Sequence, residues 1–302
     1  MNIKYNFSSF FFKANIFSII LFVLSIFLIS VKGLNYGIDF KGGTLIELRV
    51  FDKNIEITEI RSSFKDLING DVNVKEFGNE GDFLIKIEQS ESQSEDFIPN
   101  LKKNIKEKIS SEIDFRRVEN VGPKVSSELL KSGLIAIGLS LAAMLFYIWV
   151  RFEWQFSLGS IIALFHDVVI TIGIFSLLSF EINLSIIAAV LTIVGYSMND
   201  TVVIYDRIRE NLAKYNKMHI NEISDLSINE TLSRTIITSI TTLLALVSIF
   251  VLGGEILKGF SFAMILGVLI GTYSSIFVAA PVLKYFKVTY KTMLKEDEEI
   301  LP

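Results

Sequence analysis

Six runs of this chain are long and apolar enough to cross a bilayer, and that settles its class before any motif is considered. A hydrocarbon core about 30 Å thick is crossed by roughly 20 mainly apolar helical residues. Ala14 to Val31, Ser132 to Val150 and Gly259 to Leu283 carry no charge at all. Gln155 to Phe180 holds only His166 and Asp167, Ile182 to Tyr205 only Asp200, and Leu232 to Leu252 only Arg234. The charge absent from these runs is gathered elsewhere. Of 62 charged residues, 33 lie between Asn35 and Glu128, whereas a single soluble core would spread them over its surface. The expected architecture is therefore an α-helical integral membrane protein of six transmembrane helices with one polar module inserted after the first.

Direction follows from Lys and Arg in short loops. With the N-terminus cytoplasmic, the inside gains Lys4, Lys13, Arg151, Arg207, Arg209, Lys214, Lys217 and the tail's Lys284, Lys287, Lys291 and Lys295. The opposite short loops offer only Lys258, set against Glu181 and Glu255. The first run is too long for a signal-peptide core and no small-residue cleavage site follows it, so it is expected to be a retained span. The chain then divides into a cytoplasmic N-terminus and first helix (1–34), an extracytoplasmic domain (35–128), a five-helix membrane domain (129–283) and a cytoplasmic tail (284–302).

Inside the polar module, hydrophobic periodicity switches between two and about 3.6. Thr44 to Val50 alternates as a half-buried strand, and Ile57, Ile60, Phe64, Leu67 and Ile68 mark one helical face, stopped by Asn69-Gly70. Val72 to Phe77 and Asp82 to Glu88 are strands around a Gly78-to-Gly81 turn. Phe97, Leu101, Ile105 and Ile109 mark a second helix, and Ile113 to Val121 is a final strand with weaker alternation. The order β-α-β-β-α-β predicts a small α+β, ferredoxin-like domain. It holds no His, and the whole chain has no Cys. A disulfide framework, a thiol nucleophile and a Cys-type metal site are excluded. The expectation is no enzyme activity, no cofactor and no metal, and the net charge of −4 leaves no nucleic-acid footprint. Gly122-Pro123 closes the module, and Lys124 to Lys131 is expected to run as a helix into the second span, either as a joint that transmits movement or as a plain helix start.

An ionisable side chain at bilayer depth is costly and normally faces a partner or a wet path. Asp200 and Arg234 lie one to two turns from a shared cytoplasmic loop on consecutive antiparallel helices, a spacing that would let them meet. Arg234 follows an expected Ser227-x-x-Glu230 capping box. Two readings stand level on spacing alone: a structural ion pair, with Arg234 free to snorkel, or a carboxyl that alternates between protonated and ionised as access switches sides. Asp167 either joins that polar path or bonds a neighbouring helix. His166 beside it points about 100° away, so the two cannot share one partner face. Asn199 and Thr201 flank Asp200 as possible polar support, and Ser197, Thr235, Thr238, Ser239, Thr241 and Thr242 add hydroxyls suited to helix packing. Asp206, Arg207, Arg209 and Glu210 read as a solvated charge cluster. Gly267, Gly271 and Pro281 read as close-packing residues and a helix end.

Several of these segments resemble one family. Gly37-Ile38-Asp39-Phe40-Lys41-Gly42-Gly43, just after the first span, is similar to the signature at the same place in the bacterial SecD/SecF protein-export subunits. Val121-Gly122-Pro123-Lys124-Val125, Phe165-His166-Asp167 and the run from Tyr196 to Glu210 around Asn199-Asp200-Thr201 resemble the same family, as do Ser233-Arg234-Thr235 and Gly271 to Ile276. Length excludes the fused SecD–SecF form, and SecD has a larger exterior region, so the likeness is to the SecF branch. The resemblance implies a six-span half of a resistance-nodulation-division type transporter in the cytoplasmic (inner) membrane. It would be paired with SecD beside the SecYEG channel and would use the proton or ion gradient to draw preproteins out after the SecA ATPase has pushed them in. The family's coupling Asp and Arg fall on Asp200 and Arg234. The alternative is a passive assembly subunit without ion coupling.

Overall fold

The computed structural model describes residues 5–52, 55–68, 72–76, 78–88, 97–109, 112–290 and 292. Helix α1 (Phe11–Lys32) is followed by strand β1 (Asn35–Tyr36), the single turn α2 (Ile38–Lys41) and strand β2 (Gly43–Val50). Then come α3 (Ile57–Lys65), β3 (Val72–Glu76), β4 (Asp82–Ile87), α4 (Phe97–Lys108) and β5 (Ile113–Val121). The remainder is α5 (Pro123–Arg151), α6 (Trp154–Leu178), β6 (Glu181–Ile182), α7 (Leu184–Lys214), α8 (Ile220–Leu252) and α9 (Gly254–Ser274). A π turn, Ser275–Ala279, continues α9 into α10 (Ala280–Tyr285). The expected Asn69-Gly70 stop, Phe77 and the tail from Lys295 to Glu299 lie outside the described residues. The chain forms two compact units. One is Tyr36–Ile135 with Glu181–Leu184; the other holds the remaining described residues.

In the first unit the sheet order is β3-β4-β2-β5, antiparallel throughout, which is the ferredoxin-like arrangement. Register explains the core. Ile46 stands opposite Ile85 and Val118, and Leu48 opposite Phe83 and Phe115. One face therefore presents Ile46, Leu48, Phe83 and Ile85 to Ile60 and Phe64 of α3 and Ile105 of α4, all of them fully buried. The weak alternation of β5 has a local cause: its pairing shifts opposite Glu47 and Leu48, stepping from Arg117 to Phe115 and leaving Arg116 out of the ladder.

That displaced Arg116 reaches Asp82, whose carboxylate also takes a two-pronged bond from Arg49 at 2.5 and 2.6 Å. Asp82 is only 2% exposed. The Arg49 hydrogen bonds, aided by the Arg116 charge, hold its carboxyl below the usual carboxylate range against the cost of burial. A depressed carboxyl contributes stability that is present above about pH 4 and is lost as pH falls through the folded value. Asp82→Asn is therefore expected to lower the stability of this unit at neutral pH by about 1–2 kcal/mol. It should also flatten the acid limb of its unfolding curve, measured by denaturant titration between pH 3 and 7.

In the second unit, small residues set how closely helices approach. A Cβ on Gly173 of α6 would overlap Ser25 of α1, one on Gly267 of α9 would overlap Ile193 of α7, and one on Gly271 would stand 2.9 Å from the Ser197 Cβ. Phe152, Phe156, Met198, Ile204, Tyr205 and Ala279 share the core between α6, α7 and the π turn. Large apolar side chains such as Phe27, Leu139, Phe146, Ile237, Leu244 and Val251 stay exposed on α1, α5 and α8, as membrane-facing helices require.

Two expectations are corrected. Ser227 and Glu230 do not cap a helix. Helix α8 begins at Ile220, because Ile223 and Ile228 are buried in the core and carry the helical period further back. There Ser227 accepts a bond from Asn211, and Glu230 binds Arg207 and Asn211. Pro281 does not end the sixth span but opens α10. Lacking an N–H for the carbonyl four residues earlier, proline is accommodated by the wider π turn before it.

Candidate functional site

Asp200 lies in α7 on the face that also carries Ser197, Thr201 and Ile204, all buried. It is 3% exposed, and its Oδ2 is buried with no hydrogen-bond partner among the described residues. The Thr272 hydroxyl of α9 stands beside the carboxyl and shares a 2.8 Å bond with Ser239 of α8. Buried Thr235 Oγ1, four residues before Ser239, is also without a partner among the described residues. One carboxylate oxygen and a group of hydroxyls thus meet where three helices converge, in surroundings otherwise apolar.

Arg234 does not join them. The expected contact with Asp200 is absent: no ion pair within 4 Å links the two, and Arg234 is exposed. Its charge still reaches the carboxylate through space. The reason lies in helical phase. Thr231, Thr235 and Ser239 form the inner face of α8 at a spacing of four, and Arg234, one position off that series, is turned about 100° aside.

Asp167 has the opposite environment. It is 0% exposed. Its Oδ2 accepts bonds from Ser197 of α7 at 2.6 Å and from Ser274 of α9 at 2.8 Å, and its Oδ1 lies 2.9 Å from His166 Nδ1. His166 and Asp167 leave the helix on diverging paths, yet the imidazole folds back to its neighbour's carboxylate. The two share a partner in each other. Thr201 bonds Ser275 at the start of the π turn at 2.8 Å, and Tyr205 donates to Ala279 O at 2.9 Å. Thr201 therefore ties α7 to the π turn and makes no bond to the Asp200 carboxyl among the described residues. Asn199 is exposed on the far side of α7 and is not brought to either carboxylate. Thr272, Ser274 and Ser275 stood in the sequence only within the family-like run from Gly271 to Ile276, with no part at either carboxylate assigned to them.

Beyond Tyr205 the expected charge cluster is paired. Arg151 binds Asp206, Arg207 binds Glu210 and Glu230, and Arg209 binds the buried Glu153 at 3.1 Å.

Comparison with known proteins adds to this geometry. Residues 101–289 match the family model described as protein export membrane protein SecD/SecF, C-terminal, and residues 27–50 match the SecD/SecF GG motif. The protein translocase subunit SecF of Rickettsia bellii is 49% identical over 278 residues, covering 89% of each chain. That of Rickettsia felis is 47% identical over 273 residues, 89% of this chain and 88% of the relative. Among solved structures, the crystal structure of SecDF, a translocon-associated membrane protein from Thermus thermophilus, superposes with a TM-score of 0.82 at 34% identity. That alignment covers 95% of this chain and 39% of the other, so the chain spans about two fifths of the Thermus protein.

Proposed function

This chain belongs to the SecD/SecF family of protein-export membrane proteins, and from that premise we propose that it is a SecF-type subunit that couples an ion gradient to preprotein export. Membership gives it a role in Sec-dependent transport as a multi-pass membrane protein of the inner membrane. The finer reading is that Asp200 takes up and releases a proton or other cation during each cycle. The observation that carries it is the buried Asp200 carboxyl with one oxygen unpartnered. A structural carboxylate at this depth would have its acceptors filled, as those of Asp167 are.

Arg234 supports pairing with SecD. A guanidinium left bare within a span is costly. Its exposure in the single chain is therefore a reason to expect a neighbouring subunit over that face of α8. The remaining partners in this reading are the SecYEG channel, the emerging preprotein, SecA acting from the other side, and membrane lipid. The test is Asp200→Asn. Loss of gradient-driven export with normal assembly supports coupling, whereas normal export leaves the passive assembly role.

The reading also includes direction: both termini inside, residues 35–128 outside. Because the chain has no Cys, single cysteines report this directly. A cysteine at Glu91 is expected to react with an impermeant maleimide added to intact spheroplasts. One at Lys217 should react only after lysis, and the reverse pattern inverts the topology.

A further inference from the structure

The glycine motif after α1 has no part in the chemistry above, yet its contacts are specific. Gly42 and Gly43 have φ of +81° and +142°, and a Cβ on Gly43 would stand 2.5 Å from Ile87 O, so the turn closes against the end of β4. On its other side the motif holds the short segment Glu181–Leu184. The Gly37 N–H donates to Ile182 O at 2.8 Å, and a Cβ at Gly37 would stand 3.3 Å from Glu181, Ile182 and Asn183 atoms. Lys86 of β4 forms an ion pair with Glu181. Between these contacts, Asp39 Oδ2 accepts the N–H of Leu184 at 2.9 Å.

Leu184 is the first residue of α7. Its N–H is one of those a helix cannot satisfy internally, and a carboxylate there also complements the positive end of the helix dipole. The capping group thus comes from the distant turn α2, and Gly37, with no Cβ, is what lets the chain just before it lie against Glu181–Asn183. We propose that Asp39 is a positioning residue for export: by capping Leu184 it keeps the first turn of α7 formed, the helix that sixteen residues later carries Asp200. This rests on the reading of Asp200 given above.

The experiment compares Asp39→Ala with Asp39→Asn in the full membrane complex, because Asn retains a capping acceptor and Ala has none. In the Ala variant the Leu184 amide is expected to exchange roughly five-fold faster, and gradient-driven export to fall by a similar factor. The amides of Ile46 and Ile85 in the sheet should keep their rates, and Asn should restore both readouts. An unchanged Leu184 rate, normal export in the Ala variant, or equal defects in the two variants overturns the proposal. Failure of the Asp200 reading looks different: Asp200→Asn would export normally while Asp39→Ala still accelerated Leu184 exchange, which would leave the cap and remove its role in coupling.

Discussion

Asp200→Asn is expected to abolish gradient-driven export while the protein still accumulates, folds and assembles. The substitution is nearly isosteric, and Asp200 Oδ2 has no hydrogen-bond partner to lose among the described residues, so the structural cost stays below about 1 kcal/mol. What Asn lacks is a charge that can change. One elementary charge crossing 100 mV carries about 2.3 kcal/mol, which corresponds to about fifty-fold in an equilibrium. On the proposed coupling role of Asp200, none of that energy would reach the helices without a titrating carboxyl. Export kinetics with and without an imposed gradient, together with copurification of the complex, measure both sides of the claim. Full gradient stimulation in the variant would show that Asp200 is only structural.

Asp167→Ala is expected to fail in the opposite way, by loss of the folded protein. Asp167 receives three bonds, from His166, Ser197 and Ser274, and joins α6 to α7 and α9. Each interhelical bond in a membrane contributes about 0.6 kcal/mol on average, and removal of the shared acceptor also leaves buried donors unpaired. Together these place the loss at about 2–4 kcal/mol, a large share of a typical stability. Thermal unfolding in detergent and steady-state level in the membrane should both drop. Asp167→Asn, which keeps an acceptor and most of the shape, should recover much of the loss. If Asp167→Ala were as stable as the parent but inactive in export, Asp167 would belong with Asp200 in the coupling path.

Much of the architecture was legible because its causes are local. The strands Gly43–Val50 and Asp82–Ile87 announce themselves by alternation, since one face packs on helices and the other does not. The helix that follows Gly122-Pro123 was also readable, because proline fits only the first turn of a helix. Local signals misled where packing overruled them. The Ser227-x-x-Glu230 pattern looks like a helix start, but buried Ile223 and Ile228 extend α8 past it. The β5 bulge that turns Arg116 toward Asp82 has no signature beyond blurred alternation.

By itself, the sequence determined that six helices are long and apolar enough to cross a membrane, that one α+β domain is inserted after the first, and that Asp167, Asp200 and Arg234 fall inside those apolar runs. Those conclusions depend only on apolar length, periodicity and the cost of charge in hydrocarbon. The tertiary structure alone decided which of these groups meet. Asp167 draws its donors from positions 30 and 107 residues away, and Arg234 misses Asp200 by a single position of helical phase. The rotation of each helix about its axis is set by where glycines such as Gly267 and Gly271 admit Ile193 and Ser197. That rotation is a property of pairs of surfaces, which no single stretch of chain encodes.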